Sequence, residues 1–500
     1  MTPTPSPRFR RRLRNAAIVL VGWVVVAGAA SALLPNVSVD GAASAAGAGL
    51  VGAFHMHTLR SDGGGTVDDL VDAALAHGLD FIVVTDHNTE EPTRYEYRRG
   101  VLVILAEELT TLTGHATLLD VDTVHVSEPD SVDRLHGLPF HRSIDDAGLR
   151  IAAHPNGRRF WRDRTLGTVD GLEIWNADSE WRNDGLLDWL EALTLLPFRD
   201  ELAMLALVDR PARNLALLDS AYAHRRLSTL CAVDAHSKIR ITDRFFLRFP
   251  SYETSVGLVR QRLTEAPELS GDADVDGPAV VGALRRGQGW CALGGVADEG
   301  GVRIRLEAGR LAVALPDGAP RSRIRVYRDG EVVDSGEGSA LDVDATGPGT
   351  YRVEVDVRVR LLRPRWLPWI LSAPMRVGVG PDDPPPELLG VFEDDYGSRY
   401  TISPTSWVHE PDSRYAVEEW RASEGYVIAR NDRSNPADAG LWTRIDWIEL
   451  EGMEPWSWAF CIAAWDARGF AEARGADTVD RSEPLDGCGG FPFSRMRRIQ

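Results

Sequence analysis

Cysteine is scarce. Four residues in a chain of 500 are too few for a fold held mainly by disulfides. Cys461 and Cys488 fall in one C-terminal region and can pair in an oxidising compartment, whereas Cys231 lies in an apolar run and reads as a small buried hydrophobe. Cys291 stays open. Excess positive charge is also missing: 55 Lys and Arg stand against 74 Asp and Glu, for a net charge of −19. That balance argues against a nucleic-acid polymer held through its phosphates. A small phosphorylated substrate remains allowed, because bound metal can reverse the local field. Long apolar runs are few. Leu361 to Val377 is interrupted by Arg363, Pro364, Arg365 and Pro368, which excludes a membrane span there.

What is present suits a globular chain: 44% hydrophobic and 26% charged residues. The length fits two to four domains. Residues 1–15 carry Arg8, Arg10, Arg11, Arg12 and Arg14 and no acid, and Ala16 to Leu34 is uncharged. At ~1.5 Å per residue, a helix over that run just crosses a ~30 Å hydrocarbon core. The basic flank places the N-terminus in the cytoplasm. The expectation is a membrane anchor with the catalytic part extracytoplasmic, or a secreted protein if the segment is a cleaved signal peptide.

The Ala/Gly/Ser-rich stretch at 35–48 reads as a tether, so residues 1–48 form the anchor and linker. From 49 to 300, short apolar runs alternate with helix-like segments, the pattern of one α/β domain. Thr66 to His77 has an apolar stripe at helical spacing, and Gly78 can stop it. Asp184 to Arg226 is helical and Leu-rich. From 301 to 380, Val302–Leu306, Ile324–Tyr327 and Tyr351–Val355 alternate with period two, and Asp329-Gly330 marks a hairpin. That is a small sandwich-like β domain. Pro381 to Pro386 is a linker. The 381–500 segment is rich in Trp and reads as an all-β core, with an aromatic platform for an apolar ligand or glycan as the alternative.

The chemistry concentrates in 49–300. His55 and His57 are two apart, so an extended strand points both imidazoles to one side. Asp62 follows in a Gly-rich turn that can fold back. The apolar run at 81–84 ends in Thr85-Asp86-His87. Val101–Ala106 leads into Glu107-Glu108, His115 opens the run 117–121, Ile151–Ala153 leads into His154, and Leu230–Val233 leads into Asp234-Ala235-His236. Ligand-type residues thus gather at strand C-termini, where α/β folds place their chemistry. Mixed imidazole and carboxylate donors suit Zn, Mn or Fe. Closely spaced ions of this kind generate hydroxide near neutral pH.

The blocks HMHTLRSDG, AEELT with GHATLLD, TDHN, AHP and DAH resemble the polymerase-and-histidinol-phosphatase (PHP) superfamily over roughly residues 50–295. The β domain beyond them also resembles secreted members grouped with carbaryl-esterase-like metallohydrolases. The resemblance implies a distorted (β/α)7 barrel, here followed by two smaller all-β domains, with two to three divalent ions at the strand C-termini. By motif, His55, His57, Glu108 and Asp234 hold one ion. Glu108 bridges to a second held by His115 and His154, and Asp62, His87 and His236 hold the third. Glu108 is preferred to Glu107 because an aliphatic residue and then Thr follow it. No position of the set is missing.

The implied activity is a metal-dependent phosphoesterase attacking a small phosphorylated compound with metal-bound hydroxide; no separate protein acid or base is assigned. A carboxyl-ester or carbamate hydrolase on the same site, or a non-catalytic envelope- or glycan-binding protein, are the alternatives. Arg158, Arg159, Arg162 and Lys238 are candidate substrate cations. Asp86 can orient His87 or cap a helix. His77, His125, His136, His141 and His224 read as helix-surface or loop residues. The oligomeric state is open.

Overall fold

The computed structural model describes residues 7–34 and 49–499, apart from 90, 112–113, 121–148, 158–159, 163, 165, 167–168, 182–184, 223–225, 243–244, 298, 378–383, 404–405, 433, 451 and 477–478. The apolar runs of the first half fold as strands: β1 (Leu50–Met56), β2 (Phe81–His87), β3 (Arg94–Arg98), β4 (Val101–Thr110), β5 (His115–Leu119), β6 (Leu149–Ala153), β7 (Gly171–Asn176) and β8 (Ser228–Ala235). Seven of them close into a ring in the order β1–β2–β4–β5–β6–β7–β8, with β8 returning to β1. β3 is a ribbon on the first half of β4.

Strand alternation explains what fills the ring. One contiguous apolar cluster takes Phe54, Phe81, Ile104, Ile151 and Leu230 from five of the strands. The helix Ala273–Arg286 adds Val280, Val281 and Leu284 to it. Alternate residues such as Ile82 and Val84 face the other way, onto Leu70, Val71 and Ala74 of the helix Val67–Ala76. That helix starts where the sequence places it. Thr66 accepts from the Asp69 backbone N–H and Asp69 accepts from the Thr66 N–H, a reciprocal cap.

The expected (β/α)7 barrel followed by two all-β domains does not form, and the correction has a local cause. After β2 the chain turns into the β3–β4 ribbon, leaving no length for a helix. Between β4 and β5 only the tight turn at Thr111–Gly114 intervenes, so β5 runs antiparallel to β4, and β6 antiparallel to β5. Nor does the sheet end with the barrel. β11 (Val259–Leu263) pairs with β1, β12 (Gly289–Leu293) pairs with β11, and Arg365–Ser372 pairs with β12; β9 (Ile239–Thr242) and β10 (Phe245–Leu247) form a separate ribbon. Gly349–Val359, Ser322–Arg328 and Glu331–Glu337 extend the same sheet. A three-stranded sheet over Arg303–Asp344 packs on it through Leu311, Val313 and Val343.

The C-terminal segment is a second closed barrel, of eight strands between Gly390 and Arg498, all antiparallel. Trp407, Trp420, Trp447 and Trp458 lie in its core, as an all-β core requires. Trp456 lies outside that cluster, with the guanidinium groups of Arg495 and Arg497 over its ring.

The membrane anchor through Ala16–Leu34 is also corrected. Among the described residues, no helix is long and apolar enough to cross a membrane. The helix Pro7–Ala32 instead lies against the helix Leu186–Leu195 of the same chain. Ala27 and Ser31 are buried there, and a Cβ on Gly28 would lie 3.3 Å from the Phe198 ring, a tight contact. Two disulfides form, Cys461–Cys488 and Cys231–Cys291, bonds that persist in oxidising compartments. Cys231 is therefore a bridge between β8 and β12 rather than a lone buried thiol.

Candidate metal centre

β-strand parity delivers the site. On β4, Leu102, Ile104, Ala106 and Glu108 share the inward face, so the carboxylate continues an apolar row. On β8, Leu230, Ala232 and Asp234 do the same. The inward row thus ends in acids at the strand C-termini, where β1 adds His55 and the residues just beyond it.

Glu108 is the centre. Its Oε1 lies 2.7 Å from His115 Nδ1 and 3.0 Å from His154 Nε2. Its Oε2 lies 3.0 Å from His55 Nε2, 3.3 Å from His57 Nε2 and 3.2 Å from His87 Nδ1. Asp234 Oδ1 is 3.3 Å from His57 Nε2 and 3.6 Å from His55 Nε2. Asp62, more exposed, sits 3.3 Å from His236 Nε2 and 3.8 Å from both His57 Nδ1 and His87 Nε2. All nine sequence candidates therefore meet at one end of the barrel, and of the two adjacent glutamates it is Glu108 that faces the imidazoles. Three subsets bring their donor atoms within 4.8 Å of one another: His57, Asp62, His87 and His236; His55, His57 and Glu108; His87, Glu108 and His115.

The backbone is bent to aim these groups. His55, His154 and Asp234 all adopt positive φ, at 68°, 30° and 52°. That region costs a side-chain-bearing residue about 1–3 kcal/mol and persists where surrounding structure enforces it. The turn after His57 depends on glycine. A Cβ on Gly63 would lie 2.4 Å from the His57 carbonyl oxygen, and one on Gly64 would lie 2.2 Å from that of Ser237.

The electrostatics are those of a cation site. Burial opposes the charge on Glu108, yet His55, His115 and His154 hold its carboxyl well below the usual range. Asp234 behaves likewise, burial being outweighed by His55, His57 and His236. Burial also opposes a charged His236, but Asp62 and Asp234 lift it to about 9. His87 goes the other way. Burial, aided by His57 and opposed by Glu108, lowers it to about 4 and leaves a neutral imidazole. Nδ1 of His57 and of His87 are buried with no hydrogen-bond partner among the described residues. Imidazole nitrogens so placed, beside the Asp62 and Glu108 carboxylates, fit a divalent ion.

Several supporting residues carry no signal in the linear pattern. Glu173 on β7 accepts from His55 Nδ1 at 2.5 Å and from the His154 backbone N–H at 2.6 Å. Asn176 donates to Glu173 and to Asp234. Tyr252 donates to the His57 carbonyl oxygen at 2.6 Å. A carboxylate inside the apolar run Gly171–Trp175 was the one available clue. Asp86 neither orients His87 nor caps a helix. It accepts from the Thr58 backbone N–H, the Thr58 hydroxyl and the Ser61 hydroxyl, holding the loop that carries Asp62.

Of the candidate substrate cations, Arg158 and Arg159 lie outside the described residues. Arg162 is exposed. Lys238 donates to the Gly63 carbonyl oxygen at 3.1 Å and lines a cleft of about 280 Å³ that begins at Asp234 and His236 and runs toward Met204, Phe249 and Leu258. His77 is buried within the fold rather than on a helix surface, and its Nε2 donates to the Glu253 carbonyl oxygen. His125, His136, His141 and His224 lie outside the described residues.

Fold and site together define a closed β-barrel whose open end gathers imidazoles and carboxylates able to hold divalent metal. No family model matches the chain, and no curated protein matches it. Among solved structures, it is similar to a two-domain protein from Bacteroides vulgatus containing a domain predicted to be a PHP-like metal-dependent phosphoesterase. Identity there is 14% and the TM-score 0.33, over 66% of this chain and 96% of that one. A Bifidobacterium adolescentis protein, assigned without proof as a metal-dependent phosphoesterase, matches at 15% identity and a TM-score of 0.23, over 41% of this chain and 94% of that one. Likeness at that level establishes neither a shared fold nor a shared activity.

Proposed function

We propose that the chain is a metal-dependent phosphoesterase of the PHP superfamily, hydrolysing a small phosphorylated compound at a site for two to three divalent ions. One observation carries the reading. Glu108 lies between His115 and His154 on one oxygen and His55, His57 and His87 on the other, the placement a bridging carboxylate needs. The ordered motif blocks support it independently. His55, His57, Asp62, His87, Glu108, His115, His154, Asp234 and His236 would hold the ions. Zn, Mn or Fe there would lower the pKa of bound water and draw charge from a phosphoryl oxygen.

The protein's own groups bind and orient. His57 presents Nε2 toward Glu108 and Asp234 and Nδ1 toward Asp62, so one imidazole joins the deep and outer halves of the cluster. Among the described residues lining the cleft, Lys238 is the one lysine or arginine, a positive charge for a small anion. An engineered cavity of roughly 150 Å³ holds one benzene, so the cleft beside His236, about 280 Å³, has room for a small molecule. Residues 49–300 would carry the chemistry, with 301–380 and 381–500 as accessory parts.

The test is metal quantitation on the purified chain, coupled to hydrolysis of a nitrophenyl phosphate and a nitrophenyl acetate with added Mn²⁺. Bound metal with preferential phosphate-ester turnover is expected. Preference for the acetate would replace the phosphoesterase by a carboxyl-ester hydrolase. Neither metal nor hydrolysis would leave a non-catalytic binding protein.

A further inference from the structure

We infer that Glu173 is a positioning residue for the cluster: it fixes His55 through the ring nitrogen that faces away from the ions and ties His154 to the same carboxylate. The inference rests on the metal-site reading above. Glu173 has no exposed surface, and a buried carboxyl is disfavoured unless its oxygens are hydrogen-bonded. Both are. Oε1 takes the His55 Nδ1–H at 2.5 Å, and Oε2 takes the His154 backbone N–H at 2.6 Å and the Asn176 side-chain amide at 2.8 Å.

The first bond sets the His55 tautomer. With Nδ1 carrying the hydrogen, the Nε2 lone pair is directed toward Glu108 and Asp234. Outer carboxylates orient ligating histidines in this way and make them better donors. The second bond holds a neighbouring strand end, so one side chain spans candidate ligands from β1 and the end of β6.

The backbone of β7 is shaped for this. Simple alternation would put Glu173 and Asn176 on opposite faces. The register of β7 against β8 shifts between Glu173 and Trp175, which resets parity and turns both inward. Asn176 then reaches Asp234 Oδ2 at 3.2 Å as well as Glu173. Trp175 is left on the outer apolar side.

The experiment compares the full chain with Glu173→Ala and Glu173→Gln. Retained Mn²⁺ or Zn²⁺ per chain and affinity by chelator competition are read alongside thermal unfolding of the metal-stripped proteins. Affinity in Glu173→Ala should fall roughly 10–100-fold. Glu173→Gln keeps an acceptor for the Nδ1–H and should fall less. Glu173→Ala strands three buried donors and should lower the metal-stripped melting temperature, so the affinity lost is judged against Glu173→Gln and against that fall in stability. Unchanged affinity in Glu173→Ala overturns the inference, and so does a loss that only mirrors a lower metal-stripped melting temperature. A parent chain that retains no divalent ion overturns both this inference and the metal-site reading, whereas parent retention with an indifferent Ala variant overturns this inference alone.

Discussion

The two barrels of this chain solve the same geometric problem in opposite ways. The C-terminal one is sealed with aromatic rings, Trp407 and Trp458 meeting edge to face at 5.9 Å. Its eight strands pair antiparallel throughout, and its Trp-lined core has no reason to stay open. The first barrel begins its interior with Phe54, Phe81 and Ile104, but ends it in Glu108, Asp234 and six imidazoles. Burying those groups takes carboxylates and imidazoles out of water and holds three candidate ligands, His55, His154 and Asp234, in strained backbone. A closed β-ring tolerates this only when another interaction offsets the cost, and bound divalent ions are the natural one.

The contrast can be broken most directly by removing a ligand. His57→Ala should lower metal retention by more than the roughly 10–100-fold associated with outer partners and abolish hydrolysis, while circular dichroism stays close to the parent. His154→Ala should behave alike. Retained turnover in either would end the metal-centre reading. Trp458→Ala tests the other barrel: a large buried aromatic lost from a packed core costs about 3–5 kcal/mol. Denaturant unfolding should show that loss with metal retention unaltered. If metal retention falls as well, the barrels are not independent.

A slightly smaller effect belongs to the Cys461–Cys488 bridge, which closes a separation of 27 residues. Replacing both cysteines by serine should cost about 2–4 kcal/mol, read in the same unfolding experiment, again without touching metal retention. The smallest effect is pH dependence confined to the first barrel. In the metal-stripped chain, burial opposes the charge on His236, but Asp62 and Asp234 raise it to about 9. The resulting stabilisation is complete below the unfolded value of about 6.5 and is lost as pH rises through 9. The metal-stripped melting temperature should therefore decline between those values. His236→Ala should flatten that slope. Metal retention should rise over the same window, because proton and cation compete for one nitrogen.

How much of this is legible in the sequence depends on where the information sits. The nine candidate ligands are legible because they close apolar runs, follow Gly114 or, for Asp62, open a glycine-rich turn, and chemistry and strand ends coincide. The sealed C-terminal core is legible from its tryptophans. Glu173 and Asn176 are not: the β7 bulge breaks the alternation that would have flagged them, and an acid in Gly-Leu-Glu-Ile-Trp looks like an interruption. The helix-poor barrel was missed because strand-to-strand pairing between β4 and β5 rests on one tight turn. The anchor was misread because an uncharged run has the same composition whether it faces lipid or, as Ala27 does, a neighbouring helix. Cys231 and Cys291 lie sixty residues apart, a proximity only β11 between β1 and β12 creates.

The uninterrupted sheet has a practical meaning. Trp290 to Ala292 share backbone hydrogen bonds with Ile370 to Ser372, so the first barrel and the region beyond it are woven on one ladder. Severing the chain near residue 300 would strip β12 down to an unpaired row of amides and carbonyls, the kind of bare rim that recruits other molecules edge to edge. A fragment stopping there should clump long before it could be asked whether it binds metal.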